Sequence, residues 1–323
     1  MASAPDTTPT EAAPGGTANR ATAALLASVE AGLVVHDLGR PYTMGMPQSP
    51  NHPAYHHALD RRHGDRVRDG GGSAAADILV MGCHVGTHID ALAHVSQDGL
   101  LHGGHDALEA QKGGKFLDNG VHTIAPMATR GVLLDVPRAL GTDACTGGAG
   151  HLPGGYEITV DDLKRTLDTQ GSEIRPGDAV LIRSGWGMRF AEGAAYIGAA
   201  SGVPGVSGAG AEWLAGHDVA AVGADTIAFE RLAPGDGHAS LPAHRVLLVQ
   251  SGIPIIETLD LEDAAAARAH AFLFVMSHLN LVGATGAPVR PLAIVAAGTA
   301  PDAFAPEAAT AEAATPEERG PAR

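Results

Sequence analysis

Cysteine is almost missing from this chain. Two residues in 323, Cys83 and Cys145, rule out a disulfide framework and a zinc site built from thiolates alone, and they fit a reducing, cytoplasmic setting. Positive charge is scarce too: 21 Lys and Arg face 36 Asp and Glu, a formal charge of −15, so nothing in the balance favours nucleic acid or an anionic membrane surface as partner. No uninterrupted apolar stretch reaches the roughly 18 residues of a membrane span. The first twenty residues, MASAPDTTPTEAAPGGTANR, carry no apolar run of signal-peptide length, so the chain is expected to be soluble and unexported. Neither GxGxxG nor GxxxxGK[ST] follows an apolar run, which argues against a nucleotide cofactor.

Glycine (43), proline (21) and 45% hydrophobic residues are plentiful, the make-up of a loop-rich globule long enough to bury a core without staples. Residues 1–20 and 301–323 are Ala/Pro/Glu/Thr segments expected to hold no fixed structure, and 21–300 reads as one folded unit. Short apolar runs bounded by Gly, Pro or Asp read as strands: Asp77–Cys83, Gly131–Val136, Asp178–Arg183, Val219–Gly223, Arg245–Gln250 and Phe272–Met276. Helices are fewer. Thr159 and Asp162 have the spacing of a capping box at the start of the amphipathic VDDLKRTLDTQ, closed by Gly171, and Asp260 is placed to cap the Ala-rich LEDAAAARAHA. The expected class is a mixed α/β fold rather than a regular doubly wound sheet.

The chemistry concentrates in His84-Val85-Gly86-Thr87-His88-Ile89-Asp90-Ala91-Leu92-Ala93-His94. Three histidines and a carboxylate within eleven residues are the ligand types that hold zinc or manganese. On a continuous helix His84 and His88 would share a face while Asp90 pointed away, and Gly86-Thr87 makes a poor helix interior. A strand entering a glycine-containing turn instead lets His84, His88 and Asp90 converge on one point.

HVGTHIDALAH resembles the HxGTHxDxPxH signature of the cyclase/arylformamidase family of metal-dependent hydrolases, which includes kynurenine formamidase and isatin hydrolase. The resemblance extends to Asp37-Leu38, Met46-Pro47, GDAVLIRSGW (177–186), GADT (223–226), LPAHRVLL (241–248), GIPIIETLDLE (252–262) and GATGAPVRPLAI (283–294), together spanning roughly residues 35–295. It implies a swivelling β/β/α fold, a homodimer or higher homo-oligomer, and a divalent metal, zinc or manganese, with one or two ions per subunit. By the same resemblance His84, His88 and Asp90 hold the first ion, Asp90 bridges to a second held by His244 and Glu257, and His94 is the acid/base group. Glu257 also follows the apolar IPII run, a poor place for a carboxylate that nothing pairs. His244 and Glu257, thirteen residues apart, are then expected at the ends of two neighbouring strands joined through Ser251-Gly252. The chain departs from the signature at Leu92, where the family has proline, at Val95, and in DTIAFE, where Ala228 replaces a common serine and Glu230 stands at the acid.

Trp186 and Arg183, at the end of an apolar strand, are candidates for a substrate pocket. His102, His105 and Asp106 form a Gly-rich polar loop; His56, His57 and His63 read as surface; Cys83 reads as a small buried hydrophobe. The function expected is hydrolysis of a carbon–nitrogen amide bond in a small, aromatic formamide or cyclic amide. A cyclase or dehydratase using the same metal, and a metal-binding protein without catalysis, are the alternatives.

Overall fold

The computed structural model describes residues 26–142 and 150–298. The expectation for segments 1–20 and 301–323, like Cys145, lies outside those residues. The strands in chain order begin with β1 (Leu33–Asp37), the hairpin β2 (His56–Arg61) and β3 (Ala76–Val80), then β4 (His88–Asp90), β5 (Gln111–Lys112), β6 (Lys115–Phe116) and β7 (Met127–Asp135). They continue with β8 (Glu157–Ile158), β9 (Ala179–Arg183), β10 (Gly205–Val206), β11 (Ala221–Ala224), β12 (Ile255–Glu257), β13 (Ala271–Met276), β14 (Gly286–Pro288) and β15 (Leu292–Ala296).

Nine of these strands make one sheet in the order β1-β15-β13-β7-β9-β11-β12-β4-β14. Its middle, β7-β9-β11-β12, is parallel, and antiparallel strands extend it on both sides. Because successive side chains on a strand point to opposite faces, the unbroken apolar runs fill two layers. Val132, Leu134, Val180, Ile182 and Ile255 pack on one face against Leu163, Leu214 and Val246–Leu248, while Leu133, Leu181 and Ile256 pack on the other with Leu259, Phe272 and Phe274. Each such side chain contributes about 1.5–3 kcal/mol when fully buried. The mixed α/β class is the observed one.

The helix Val160–Gln170 starts where the capping box places it: the Thr159 hydroxyl accepts the Asp162 N–H at 3.2 Å, the Asp162 carboxylate accepts the Thr159 N–H at 2.9 Å, and Gly171 ends the helix in the left-handed region. Elsewhere the structure departs from the expected elements. Arg245–Gln250 is not a strand: Pro242–His244 opens a helix that runs on as a π-helical segment, Arg245–Ser251. A six-residue apolar run has no period by which to tell a buried strand from a buried helix, and Pro242 at the first helical position was the available cue. Asp260 does not cap; it pairs with Arg40 at 3.4 Å, and the Ala-rich helix is only Glu262–Ala266. The strand Asp77–Cys83 ends at Val80, which leaves Cys83 in the following turn, a free and partly exposed thiol. No helix among the described residues is long and apolar enough to cross a membrane.

Candidate metal centre

Strand register assembles the first donors. Along β4, His88 and Asp90 must share a face, and Ile89 goes to the opposite layer. β12 lies antiparallel beside β4 with Glu257 opposite His88, so Glu257 joins the same face. All three are buried. His84 comes to them through a turn at Gly86, whose φ of 65° suits glycine and where a Cβ would stand 2.7 Å from the Tyr42 ring. The second glycine of close approach is Gly286 on β14, where a Cβ would sit 2.7 Å from His84 Cε1. His244 arrives from the layer packed on that same face, at the end of the Pro242–His244 helix. It therefore reaches Glu257 from a helix, and the expected pair of strands is replaced by a helix and a strand.

The acceptors outside the cage fix the tautomers of His88 and His244, since carbonyls and carboxylates can only accept. His88 Nδ1 donates to the Gly86 carbonyl at 2.7 Å, leaving the Nε2 lone pair 3.3 Å from Asp90 Oδ1 and 3.5 Å from Glu257 Oε2. His244 Nδ1 donates to Glu230 Oε1 at 2.5 Å, leaving Nε2 3.3 Å from both Asp90 Oδ2 and Glu257 Oε1. His84 Nδ1 lies 2.5 Å from Asp90 Oδ1 and its Nε2 hydrogen-bonds the Thr285 hydroxyl at 2.8 Å, so Nδ1 is the ring atom that faces the cage. His94 stacks on His84, ring centres 3.8 Å apart. Two triads of donor atoms, His84/His88/Asp90 and Asp90/His94/His244, each lie within 4.8 Å of one another.

Glu230 departs from the family pattern, and sequence reasoning assigned it no role. It is fully buried, and besides His244 Nδ1 it accepts the backbone N–H of Ala243 at 2.6 Å and of His244 at 3.1 Å. One carboxylate thus caps the helix and orients the imidazole, the arrangement by which an outer carboxylate tunes a metal-binding histidine. Ala228, two residues earlier, is buried beside Trp186, Tyr196 and Ile227 and brings no hydroxyl.

The cage is short of positive charge. Asp90, Glu230 and Glu257 are buried, and among the described residues no Lys or Arg pairs with any of them. Burial works against protonating His88 and His244, yet the surrounding carboxylates raise both above an ordinary histidine. His88 Nε2 and Asp90 Oδ2 are buried without a hydrogen-bond partner. Unpartnered imidazole and carboxylate atoms converging in a cation-deficient cage fit a divalent ion.

The cage opens into a cavity of about 270 Å³. Its wall includes Gln48, Asn51, His52, His94, Ile227 and His238, of which the segment around His52 and the loop carrying His238 were not marked by any sequence signal. Burial pulls His94 down to about 3 and His52 to about 4, with neighbouring histidines acting in the same direction, so both are neutral bases at neutral pH. Trp186 and Arg183 do not line this cavity. The Trp186 indole donates to the Tyr196 carbonyl behind Ile227, and Arg183 is spent on Asp135 at 2.8 Å and Glu262 at 2.7 Å. His102 donates to the Val249 carbonyl, Asp106 accepts two backbone N–H groups, and His105 lies 3.8 Å from Asp118. His57 pairs with Asp77 on the exposed β2–β3 hairpin.

Comparison with known proteins finds relatives of this chain and of its fold. The family model Cyclase, described as "Putative cyclase", matches residues 36–231. Isatin hydrolase of Roseibium aggregatum is 24% identical over 221 residues, 67% of this chain and 73% of that protein. The fold resembles a crystal structure described as a novel cyclase, with TM-score 0.72, 28% identity, and 83% of this chain and 91% of that one covered. It also resembles isatin hydrolase A from Ralstonia solanacearum, with TM-score 0.63, 24% identity, and 90% and 100% covered.

Proposed function

The chain belongs to the Cyclase family, and from that premise we propose that it is a metal-dependent hydrolase that opens the carbon–nitrogen bond of a small aromatic formamide or cyclic amide. The observation that carries this reading is the cage itself: His84, His88, Asp90, His244 and Glu257 gathered at the base of a cavity, with two buried donor atoms unpartnered. These five residues would hold one or two zinc or manganese ions. When bound, such an ion supplies Lewis-acid polarisation of the substrate carbonyl and acidifies water.

The chain's own residues do the rest. Glu230 keeps His244 in the tautomer whose Nε2 faces the cage, and the Gly86 carbonyl does the same for His88. His94, neutral and in the cavity wall, takes a proton from the attacking water and passes it to the departing nitrogen. Size supports a small substrate: a 150 Å³ apolar cavity admits benzene, so about 270 Å³ takes one small ring system with its amide. The similarity to isatin hydrolases, named for a cyclic amide, points the same way.

Two copies of the chain are proposed to assemble. Leu59, Ile78, Leu79 and Val80 on β2–β3 are each more than half exposed, and a lone two-stranded hairpin is marginal unless something covers it. Sedimentation of wild type and Leu79→Asp tests this, a dimer that the variant dissociates being the expected result. The function is tested with a pH indicator on a panel of formanilides and lactams, since hydrolysis releases a carboxylic acid and dehydration does not. Acid release that needs the metal and His94 is expected; no acid from any member of the panel refutes the reading.

A further inference from the structure

Beside the metal cavity lies a second, shallower one of about 400 Å³, and the two share Val95, His238 and Leu241 as a common wall. Its other side carries Gln97, Ser240 and Arg245. Arg245 follows the cage histidine His244 directly. A step of about 100° around the helix therefore turns its side chain from the cage into the neighbouring cavity. Arg40, Arg130, Arg183, Arg231 and Arg290 each have a carboxylate within salt-bridge reach. Arg245 has none among the described residues, and its Nε is buried with no hydrogen-bond partner. In a chain of net charge −15, a half-buried guanidinium left without an anion at the edge of a substrate cavity calls for one.

Resting on the hydrolase reading above, we propose that the substrate carries a carboxylate beyond its scissile amide, and that Arg245 binds it in this adjoining cavity. The planar fork of the guanidinium takes a carboxylate in a bidentate pair, and Gln97, Ser240 and His238 offer further donors at the same wall. The amide end of such a molecule then lies toward His94 and the cage.

Binding and turnover test this separately, both on the metal-loaded protein. Calorimetry with benzoate and benzamide should show benzoate bound more tightly by wild type, weakened about tenfold to a hundredfold in Arg245→Met, and partly restored in Arg245→Lys, with benzamide affinity the same throughout. Equal benzoate affinity in wild type and Arg245→Met, or no preference for benzoate over benzamide, overturns the proposal. In turnover, the ratio of kcat/KM for N-formylanthranilate over formanilide should fall in Arg245→Met, and an unchanged ratio also overturns it. Arg245-dependent benzoate binding with no acid released from any formanilide or lactam would leave the anion site standing and remove the hydrolase reading instead.

Discussion

Replacing Glu230 by Gln changes one buried carboxylate oxygen to an amide nitrogen and leaves the shape intact. The carboxylate accepts on both oxygens: Ala243 N–H and His244 N–H on Oε2, and His244 Nδ1–H on Oε1. Glutamine has a single acceptor oxygen. If that oxygen keeps the helix N–H groups, the amide NH₂ meets His244 Nδ1, which must then accept, and the imidazole proton moves to Nε2, the atom 3.3 Å from Asp90 and Glu257. That atom can then no longer serve as a ligand. Loss of such an outer partner costs about tenfold to a hundredfold in metal affinity, or about 1.4–2.8 kcal/mol. If instead the oxygen keeps Nδ1, the helix start loses charge-assisted bonds worth about 1.5–3 kcal/mol of stability. Competition with a chromophoric chelator reads the first loss and denaturant unfolding the second. A Glu230→Gln protein with wild-type metal affinity and wild-type stability would refute this account of the residue.

Three further outcomes are expected. His94→Asn should keep its metal while turnover falls about 10²–10⁴-fold, the usual worth of a positioned acid/base group; because His94 also lies within ligating reach of Asp90 and His244, loss of metal in that variant would make it a ligand instead. Gly86→Ala, forced to a φ of 65° and against the Tyr42 ring, should lower stability by at least about 1–2 kcal/mol in denaturant unfolding, and an unchanged midpoint would contradict the strain. His88 and His244 have raised values in the metal-free fold, so the stability they give is complete below about pH 6.5 and is lost as pH rises through those values. Added metal replaces the protons, so the rise in Tm on adding zinc should grow with pH above that point; a shift that shrinks with pH would run against the sign.

The first half of the cage was legible in the sequence because it is local. His84, His88 and Asp90 sit within seven residues, and the strand period alone puts the last two on one face. The parallel strands were legible for a similar reason, since two-faced burial makes them short apolar runs such as Ala179–Arg183. What could not be read depended on long-range packing. RVLLVQ looked like another such strand, and only the Glu230 carboxylate thirteen and fourteen residues away, together with Pro242, shows why it is helical. Trp186 and Arg183 looked like pocket residues by type, yet Tyr196, Asp135 and Glu262 claim their polar atoms. His52 and His238 reach the cavity from loops whose paths no periodicity encodes.

The central claim, that the buried cage holds a catalytic divalent ion, is tested most directly by metal analysis of wild type and His88→Ala, both purified without chelator. The account predicts one or two equivalents of zinc or manganese per wild-type chain, and loss of the ion together with activity in His88→Ala, because a site built from so few protein donors does not survive losing one whose lone pair faces the others. Equal metal content in the two proteins, or a wild-type chain that takes up neither metal and still turns over substrate, would contradict it.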